Sequence, residues 1–254
     1  MIVILSSHVA AGDVGGTAQL LALAGIEARA ALAPTTLLGR HPGNGPPGGG
    51  PTPPELFAGM IEGLEAAGLF TAMPAMICGY MPSKAHVQIA AEAIARARAA
   101  SPGVLVVVDP IMGDEGTGLY IPAEAAQAVA TGLAPLADII SPNAWELQRL
   151  TATVVADRAG ALAAAREWGR PVLVSSVPSG RDIGVLYADG AGGAWLATHA
   201  RAATAPKGTG DILTALFTAA LIDGAAPQDA LETAVADVAA IALGMEAEVR
   251  IEAV

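Results

Sequence analysis

The sequence predicts an α/β protein with a mostly parallel central sheet, because short apolar runs alternate with longer alanine- and leucine-rich stretches of helical length. The apolar runs are typical of strands that are covered on both faces, and they begin near Ile2, Ala75, Val104, Ile139 and Val172. Neighbouring parallel strands need a long crossover, which the helical stretches provide. We therefore expect a three-layer α/β/α architecture.

The end of the chain predicts the remaining elements. Residues 183–187 and 194–197 are separated by a turn that contains Asp189-Gly190, which is typical of an antiparallel hairpin, here at a sheet edge. Two alanine-rich helices are expected from about residue 212 to 222 and from about 230 to 247. The sequence contains no internal repeat and no charged linker, so we expect a single domain over residues 1–254.

Composition and charge exclude several classes of protein. Of the 254 residues, 53% are hydrophobic, mainly because alanine is abundant, and 4% are aromatic. No stretch is suited to span a membrane. The net charge of −11 argues against a protein that covers nucleic acid or an anionic membrane surface. Cys78 is the only cysteine, so there is no intrachain disulfide, and we expect a cytoplasmic protein.

Residues 34–54, here called the flap, are rich in proline and glycine and are expected to contain no regular element. They form either a mobile flap over a site or a surface insertion, and we favour the flap because long irregular loops usually carry function. The formal G-x-G-x-x-G at residues 43–48 is not interpreted as a dinucleotide fingerprint. Its paired prolines and the glycines that follow prevent the helix which that motif must open.

The motif Lys207-Gly208-Thr209-Gly210-Asp211 precedes an apolar run and predicts a loop that turns into a helix. Glycines and a helix N-terminus together suit a phosphate group. Asp211 is expected in the first turn, either as a proton acceptor or as an ordinary N-cap. We expect it to be a weak base, because a helix N-terminus favours the ionised carboxylate. Lys207 either reaches a phosphate or is a solvated surface lysine.

Polar residues follow the predicted strands, and ligands of parallel sheets bind beyond the carboxyl ends of the strands. These residues are Ser6, Ser7 and His8, then Gly79 and Tyr80, Asp109 and Asp114, Asn143 and Glu146, and Ser175 and Ser176. Acids collected there suit oxygen ligation of Mg²⁺. The alternative is that Asp109 and Asn143 are only capping residues.

Three motifs together carry a family resemblance. Asp109-Pro110-x-Met112-Gly113-Asp114, Asn143-x-x-Glu146 and Gly208-Thr209-Gly210-Asp211 resemble the ribokinase-like superfamily of small-molecule kinases. The first strand with Ser6-Ser7-His8-Val9, the flap with Arg40-His41-Pro42, and Gly79-Tyr80 are similar to bacterial pyridoxal kinases, and this similarity extends over nearly the whole chain.

The resemblance implies the ribokinase-like fold and transfer of phosphate from ATP to the 5′-hydroxymethyl group of pyridoxal or a related B6 vitamer. Asp211 would take the hydroxyl proton, and residues 208–210 would form the anion hole. The other implied roles are substrate binding by Ser7, His41 and Tyr80, ATP binding by Asp114, Asn143, Ser175, Ser176, Lys207 and Thr209, and metal binding by Asp109 and Glu146. It further implies Mg²⁺, leaves open a monovalent cation such as K⁺, and implies a homodimer with no nucleic-acid or membrane partner.

Two positions depart from the resemblance. Pro42 stands where many pyridoxal kinases have threonine, and Leu38 stands where an aromatic residue often covers the ring. Two other functions therefore stay open. One is a hydroxymethylpyrimidine kinase, and the other is a non-catalytic vitamin- or nucleotide-binding homologue.

Overall fold

A computed structural model describes residues 1–204 and 206–254, and its elements follow βαβ order. The strands are β1 (Ile2–Ala11), β2 (Ala30–Arg40), β3 (Gly49–Pro51), β4 (Ala75–Cys78), β5 (Leu105–Val108), β6 (Gly113–Asp114), β7 (Gly118–Leu119), β8 (Ile139–Ile140), β9 (Val172–Ser179), β10 (Asp182–Ala188), β11 (Ala194–Ala200) and β12 (Arg250–Ala253). The α-helices are α1 (Gly15–Gly25), α2 (Pro54–Ala66), α3 (Lys84–Ala100), α4 (Ala123–Ala128), α5 (Ala144–Thr151), α6 (Arg158–Trp168), α7 (Thr209–Ile222) and α8 (Pro227–Leu243).

In the described part of the chain, ten strands form one sheet in the order β12-β11-β10-β9-β8-β5-β4-β1-β2-β3. The centre, from β9 through β8, β5, β4 and β1 to β2, is parallel, whereas β10, β11 and β12 at one edge and β3 at the other are antiparallel. Strands β6 and β7 form a separate small ribbon. The predicted parallel sheet with an antiparallel hairpin towards one edge is confirmed.

Each face of the sheet is covered by its own apolar core. Alternate residues of β1 enter opposite cores, with Val3 and Leu5 on one face and Ile2 and Ile4 on the other, as the two-residue period of a strand requires. The first core includes residues of α2 to α6, and the second includes residues of α1, α7 and α8. The three-layer prediction is therefore confirmed.

Two strands continue further than the sequence indicates. Ser6, Ser7 and His8 were expected after the first strand but lie inside β1, and Ser175 and Ser176 lie inside β9. The register of β1 against β2 shifts between Ser6 and Ser7, so backbone pairing continues through polar residues with a bulge. Helices α7 and α8 are confirmed, but each begins three residues earlier than predicted.

The expectation that the flap contains no regular element is wrong. The second half of β2 and all of β3 lie within it, and they pair as an antiparallel hairpin in which Leu37 faces Gly50. Proline is tolerated here because β3 is an edge strand and Pro34 lies at the register shift opposite Ser6. In the loop that joins β2 and β3, a short 3₁₀ turn covers Pro42–Asn44.

Over residues 1–204 and 206–254, none of the helices has both the length and the apolar character needed to cross a membrane.

Candidate active site

Helix α7 begins at the glycine-rich motif, with Gly208 as its N-cap. Gly208 has a φ of +88°, and a Cβ at this position would collide with the carbonyl oxygen of Asp13. Only glycine fits here without displacing the loop around Asp13. The N–H groups of the first turn have no acceptors within the helix, so they are available to an anion. Gly208, Thr209 and Gly210 thus lie at the predicted helix N-terminus.

Asp211 lies in the first turn of α7, as predicted, and it is half-buried. Its Oδ2 accepts a 2.8 Å hydrogen bond from the backbone N–H of Gly15, the first residue of α1. Its Oδ1 is shielded from solvent and has no hydrogen-bond partner among the described residues. Gly208 is the N-cap and no side chain caps α7, so the N-cap alternative for Asp211 is wrong. One carboxylate oxygen is therefore available to receive a proton.

Asn143 and Glu146 form a capping box at the start of α5, with both reciprocal bonds at 2.9 Å. The Oε1 of Glu146 also accepts the backbone N–H groups of Met112 at 2.6 Å and Gly113 at 3.2 Å. The Asn143 side-chain amide donates to the carbonyl oxygen of Gly113 at 2.8 Å. Asn143 thus caps α5, and the same pair also holds the chain that follows β5.

The chain between β5 and β6 has an unusual backbone conformation. Ile111 has a φ of +39°, which is rare for a β-branched residue. The bend at Ile111 precedes the two N–H groups that reach Glu146, so those hydrogen bonds compensate for the strain. Gly113 must be glycine, because a Cβ there would collide with the carbonyl oxygen of Gly118 in the β6–β7 ribbon.

Asp109 directly follows β5 and is 6% exposed. Its Oδ2 accepts a 3.0 Å hydrogen bond from the hydroxyl of Thr214, and that hydroxyl is 2.8 Å from the Oγ of Ser141. Thr214 lies on α7 one turn after Gly210 and is also 3.1 Å from the Gly210 carbonyl oxygen. Thr214 therefore links the acid at the end of β5 to the helix that carries Asp211.

Burial raises the pKa of three acids of the site, Asp109, Glu146 and Asp211. For Asp109, burial is the largest cause, and the charges of Asp211 and Glu146 add to it, so its pKa lies well above its usual value. Burial raises the pKa of Glu146 to about 7, although three backbone hydrogen bonds act against this rise. It raises the pKa of Asp211 to about 6, against the lowering effect of the Gly15 hydrogen bond. The expected weak basicity of Asp211 is thus wrong in direction, because lost hydration outweighs the helix N-terminus.

The donor atoms of the site fit a hard cation such as Mg²⁺. Among the described residues, no ion pair involves Asp109, Glu146 or Asp211, so no basic side chain compensates their charges. No group of three or more acidic, histidine or cysteine side chains in the described ranges could hold a metal alone. Mg²⁺ typically takes one or two carboxylates and completes its shell with water and phosphate. Asp109 is the better candidate ligand, since Glu146 already accepts three backbone N–H groups.

Asp114 lies at the end of β6, where Tyr120 donates a short hydrogen bond to its Oδ2 and the Thr117 N–H donates to Oδ1 at 3.2 Å. Burial raises the pKa of Asp114, but these two bonds and the positive charge of Lys207 lower it more, so the pKa lies below its usual value. Lys207 itself is exposed. Its positive charge thus acts on Asp114 in the β6–β7 ribbon.

Ser175 and Ser176 lie where β9 departs from regular pairing. Ser175 forms a parallel bridge with Asn143 and donates its N–H to the Pro142 carbonyl oxygen at 3.0 Å. Ser176 has a φ of +60°, and the β9–β10 register shifts beside it. Bulges and strained residues of this kind often redirect side chains at functional sites. The structure thus brings Ser175 beside Asn143, and ATP binding by these residues stays a prediction.

Of the three predicted substrate residues, Ser7 lies within β1 and Tyr80 closely follows β4, whereas His41 lies on the flap. Ser7 is buried against the start of α1, where a Cβ on Gly15 would collide with its Oγ. Both backbone groups of Tyr80 form hydrogen bonds to side chains. Its N–H donates to Ser6 Oγ at 3.2 Å, and its carbonyl oxygen accepts the Thr35 hydroxyl at 2.6 Å.

His41 lies on the flap, where its Nδ1 accepts the Gly43 N–H at 3.0 Å and so caps the short 3₁₀ turn. Among the described residues, no hydrogen bond joins it to Ser7 or Tyr80. The flap therefore carries His41 on its own turn, separate from the two other predicted substrate residues.

Sequence reasoning missed several residues that position the site, namely Gly15, Thr35, Tyr120 and Thr214. Only Gly15 had a signal, since the Gly15-Gly16 pair directly precedes an apolar stretch of helical length. The others depend on contacts between distant segments.

A cavity with a volume of about 810 Å³ lies between α1, α7, α8 and the flap. Its lining includes Asp13, Lys207, His41 and Asn44, but none of the three acids. The cavity is thus bordered by the flap and by the loop that packs on Gly208.

A parallel sheet with a glycine-capped helix N-terminus and buried acids at its carboxyl end defines the class of ribokinase-like small-molecule kinases. Comparisons with known proteins narrow this class. The family model described as phosphomethylpyrimidine kinase matches residues 69–250. A pyridoxine/pyridoxal/pyridoxamine kinase of Bordetella avium is 37% identical over 240 residues, which cover 91% of this chain and 80% of that relative. Pyridoxal kinase PdxY of Corynebacterium diphtheriae is 32% identical over 234 residues, or 89% and 83% of the two chains.

Solved structures agree with these relatives. Pyridoxal kinase of Entamoeba histolytica superimposes with a TM-score of 0.89 at 27% identity, covering 96% of this chain and 89% of that one. Pyridoxal kinase of Leishmania donovani in complex with ADP and pyridoxamine superimposes with a TM-score of 0.86 at 25% identity, covering 94% of this chain and 84% of that one. The chain belongs to the pyridoxal kinase family, within the broader family that the phosphomethylpyrimidine kinase model describes.

Proposed function

We propose that this protein is a kinase that transfers the γ-phosphoryl group of ATP to the 5′-hydroxymethyl group of pyridoxal or a related B6 vitamer. The observation that carries the proposal is the geometry of Asp211. Its Oδ1 is free, its Oδ2 is held by Gly15, and it lies directly after the anion nest of α7. The relatives named as pyridoxal kinases support the choice of substrate.

The proton of the substrate hydroxyl passes to Asp211 Oδ1. Because burial raises its pKa to about 6, Asp211 is mostly ionised at neutral pH, yet it accepts a proton more readily than an exposed aspartate would. The Gly15 hydrogen bond fixes the carboxylate plane, so that the free oxygen keeps one direction. Orientation of this kind matters because phosphoryl transfer has a loose transition state with little covalent demand on the base.

The N–H groups at residues 208–210 stabilise the negative charge that spreads over the transferred phosphoryl group. We place the ATP phosphates between this nest and the loop ends that carry Asp114, Asn143, Ser175 and Ser176, with Lys207 at the entrance. Asp109, held by Thr214, and Glu146, held by backbone donors, would organise the metal and its waters. When bound, Mg²⁺ supplies charge neutralisation to the phosphates.

Ser7 and Tyr80 are proposed to contact the vitamer ring, because both lie at the end of the sheet where Gly15 meets Asp211. The flap, with His41, is proposed to close over this ring. Its hairpin base and the position of His41 on the border of the 810 Å³ cavity support this role.

Hydroxymethylpyrimidine kinase activity is the second candidate, and the description of the matching family model favours it. Both alcohols are hydroxymethyl groups on a heteroaromatic ring, so the same base and anion nest would serve either. The two candidates differ only in the ring that the flap must cover.

The decisive experiment measures ADP release with pyridoxal, pyridoxine, pyridoxamine and hydroxymethylpyrimidine in parallel, with Asp211→Asn as the inactive control. The highest kcat/KM with a B6 vitamer supports the proposal, whereas the highest value with hydroxymethylpyrimidine supports the second candidate. If no alcohol is phosphorylated while pyridoxal and ATP both bind in calorimetry, the protein is a non-catalytic binding homologue.

The proposal includes a homodimer in the cytoplasm that requires Mg²⁺ and is activated by a monovalent cation such as K⁺. Exposed Leu21, Ile26 and Ile241, which line the 810 Å³ cavity, support association of two copies. Sedimentation at several protein concentrations tests the dimer, and activity titrations with MgCl₂ and KCl test the ions.

A further inference from the structure

A buried histidine outside the site described above has both ring nitrogens paired. His86, in the first turn of α3, is 1% exposed. Its Nε2 is 2.9 Å from the Thr52 carbonyl oxygen, and its Nδ1 is 2.8 Å from Ser83 Oγ. A carbonyl oxygen can only accept, so Nε2 carries the proton and Nδ1 accepts the Ser83 hydroxyl. Burial lowers the pKa of His86, against the raising effect of the Thr52 bond, which favours this neutral form.

Thr52 joins the two ends of the flap. Its N–H donates to the Thr35 carbonyl oxygen at 3.0 Å, and its hydroxyl donates to the Pro34 carbonyl oxygen at 2.8 Å. Thr52 is 2% exposed and Thr35 is fully buried, so water does not compete for these bonds. The chain enters and leaves the flap at these two hydrogen bonds from Thr52 to Thr35 and Pro34, which are here called the clasp.

The clasp continues to the proposed vitamer site. The hydroxyl of Thr35 donates to the Tyr80 carbonyl oxygen at 2.6 Å. A connected path therefore runs from His86 through Thr52 and Thr35 to Tyr80. Neither the anion nest nor the acids belong to this path.

We infer that His86 is a positioning residue that holds the base of the flap and, through Thr52 and Thr35, the backbone of Tyr80 for the B6 vitamer. This inference rests on the proposed function. Loss of the Nε2–H would leave the Thr52 carbonyl oxygen buried without a donor, which destabilises the clasped arrangement. The effect should fall on vitamer binding and spare the nucleotide, since the path does not reach the α7 motif.

The test compares His86→Met, which fills the space without a donor, with His86→Gln, whose amide N–H can reach the Thr52 carbonyl oxygen. We expect His86→Met to raise the KM for the vitamer about tenfold, as a loss of about 1.4 kcal/mol would. The KM for ATP should stay within about twofold, and His86→Gln should recover most of the loss. His199→Met, at another buried histidine that contacts a backbone carbonyl, is the matched control and should leave the vitamer KM unchanged.

A second readout does not depend on activity. Arg40 is exposed and is the only lysine or arginine in residues 34–54, so trypsin reports on the flap through cleavage at this position. Cleavage at Arg40 should be faster in His86→Met than in the wild type, and near the wild-type rate in His86→Gln and His199→Met.

The inference is overturned if His86→Met leaves the vitamer KM unchanged, raises the ATP KM equally, or is cleaved at the wild-type rate. It is also overturned if His199→Met reproduces its effects. If the wild type phosphorylates no B6 vitamer, the proposed function fails, and the cleavage rates alone decide whether His86 holds the flap. If His86→Met does not fold, the His86→Gln variant is compared with His86→Asn, whose shorter amide cannot reach Thr52. Equal KM values for the vitamer and equal cleavage rates in these two variants then overturn the inference.

Discussion

The backbone N–H of Gly15 donates a 2.8 Å hydrogen bond to Asp211 Oδ2, which joins the starts of two helices across 196 residues of sequence. The donor is a first-turn N–H that has no acceptor within α1. The same bond lowers the pKa of Asp211, while burial raises it. This contact therefore orients the carboxylate of the proposed base and limits the rise in its pKa.

Replacement of Asp211 by asparagine should abolish turnover while leaving nucleotide binding intact. The amide removes the proton acceptor but keeps the shape of the side chain, so we expect kcat to fall by ~10²-fold or more. Calorimetry with ADP should give a Kd close to that of the wild type. A variant that keeps near-normal kcat would contradict the role of Asp211.

Metal-free protein should become more stable as the pH falls from 8 towards 5. The folded-state pKa values of Asp211, about 6, and Glu146, about 7, lie above the usual values of 3.8 and 4.5, so the folded state binds protons more tightly than the unfolded state. The stabilisation from this tighter proton binding is fully present below the pKa values of the unfolded state, and it is lost as the pH rises through the folded-state values of about 6 and 7. Urea unfolding should show a difference on the order of 1–3 kcal/mol, reduced in Asp211→Asn. A free energy of unfolding that rises with pH over this range would contradict the prediction.

Thr214→Val should weaken catalysis through Asp109. Valine matches the shape of threonine but cannot donate to Asp109 Oδ2 or bond to Ser141, so both buried groups lose a partner. We expect about 1–3 kcal/mol of lost stability and a higher Mg²⁺ concentration for half-maximal activity. Thr214→Ser keeps the hydroxyl and should recover the Mg²⁺ dependence. The role of Thr214 fails if both variants show the same Mg²⁺ dependence.

Gly208→Ala should disrupt the anion nest, because the residue has a φ of +88° and a Cβ would meet the Asp13 carbonyl oxygen. Stability should fall by more than about 1 kcal/mol, and the affinity for ADP should fall with it. Gly59→Ala in α2 is the matched control, since nothing lies near its added Cβ and alanine favours a helix. Thermal unfolding and ADP titration of both variants check this prediction, and equal behaviour would refute it.

Local patterns predicted much of the fold and site. The apolar runs that became β4, β5 and β8 sit in fully covered positions, where burial on both faces leaves no alternative to a continuous hydrophobic run. Capping by Asn143, which the sequence left as an alternative, and the helix start at the Gly208 motif involve neighbours within one turn, so residue spacing alone indicated both.

Other features were not predictable from spacing. The flap hairpin was missed because Pro and Gly usually mark loops, yet they are tolerated in an edge strand and at a register shift. The ends of β1 and β9 were misplaced because polar residues such as Ser7 and Ser175 continue the backbone pairing.

The sequence by itself determined the βαβ order, the helix N-terminus at Gly208 and the acids that follow the strands, because these depend on short-range periodicity and turn chemistry. Only the tertiary structure decided that Gly15 holds Asp211, that Thr214 holds Asp109, and that burial raises the pKa of Asp211. Each of these depends on which distant segments exclude water from the same space, and the spacing of residues along a chain does not contain that information.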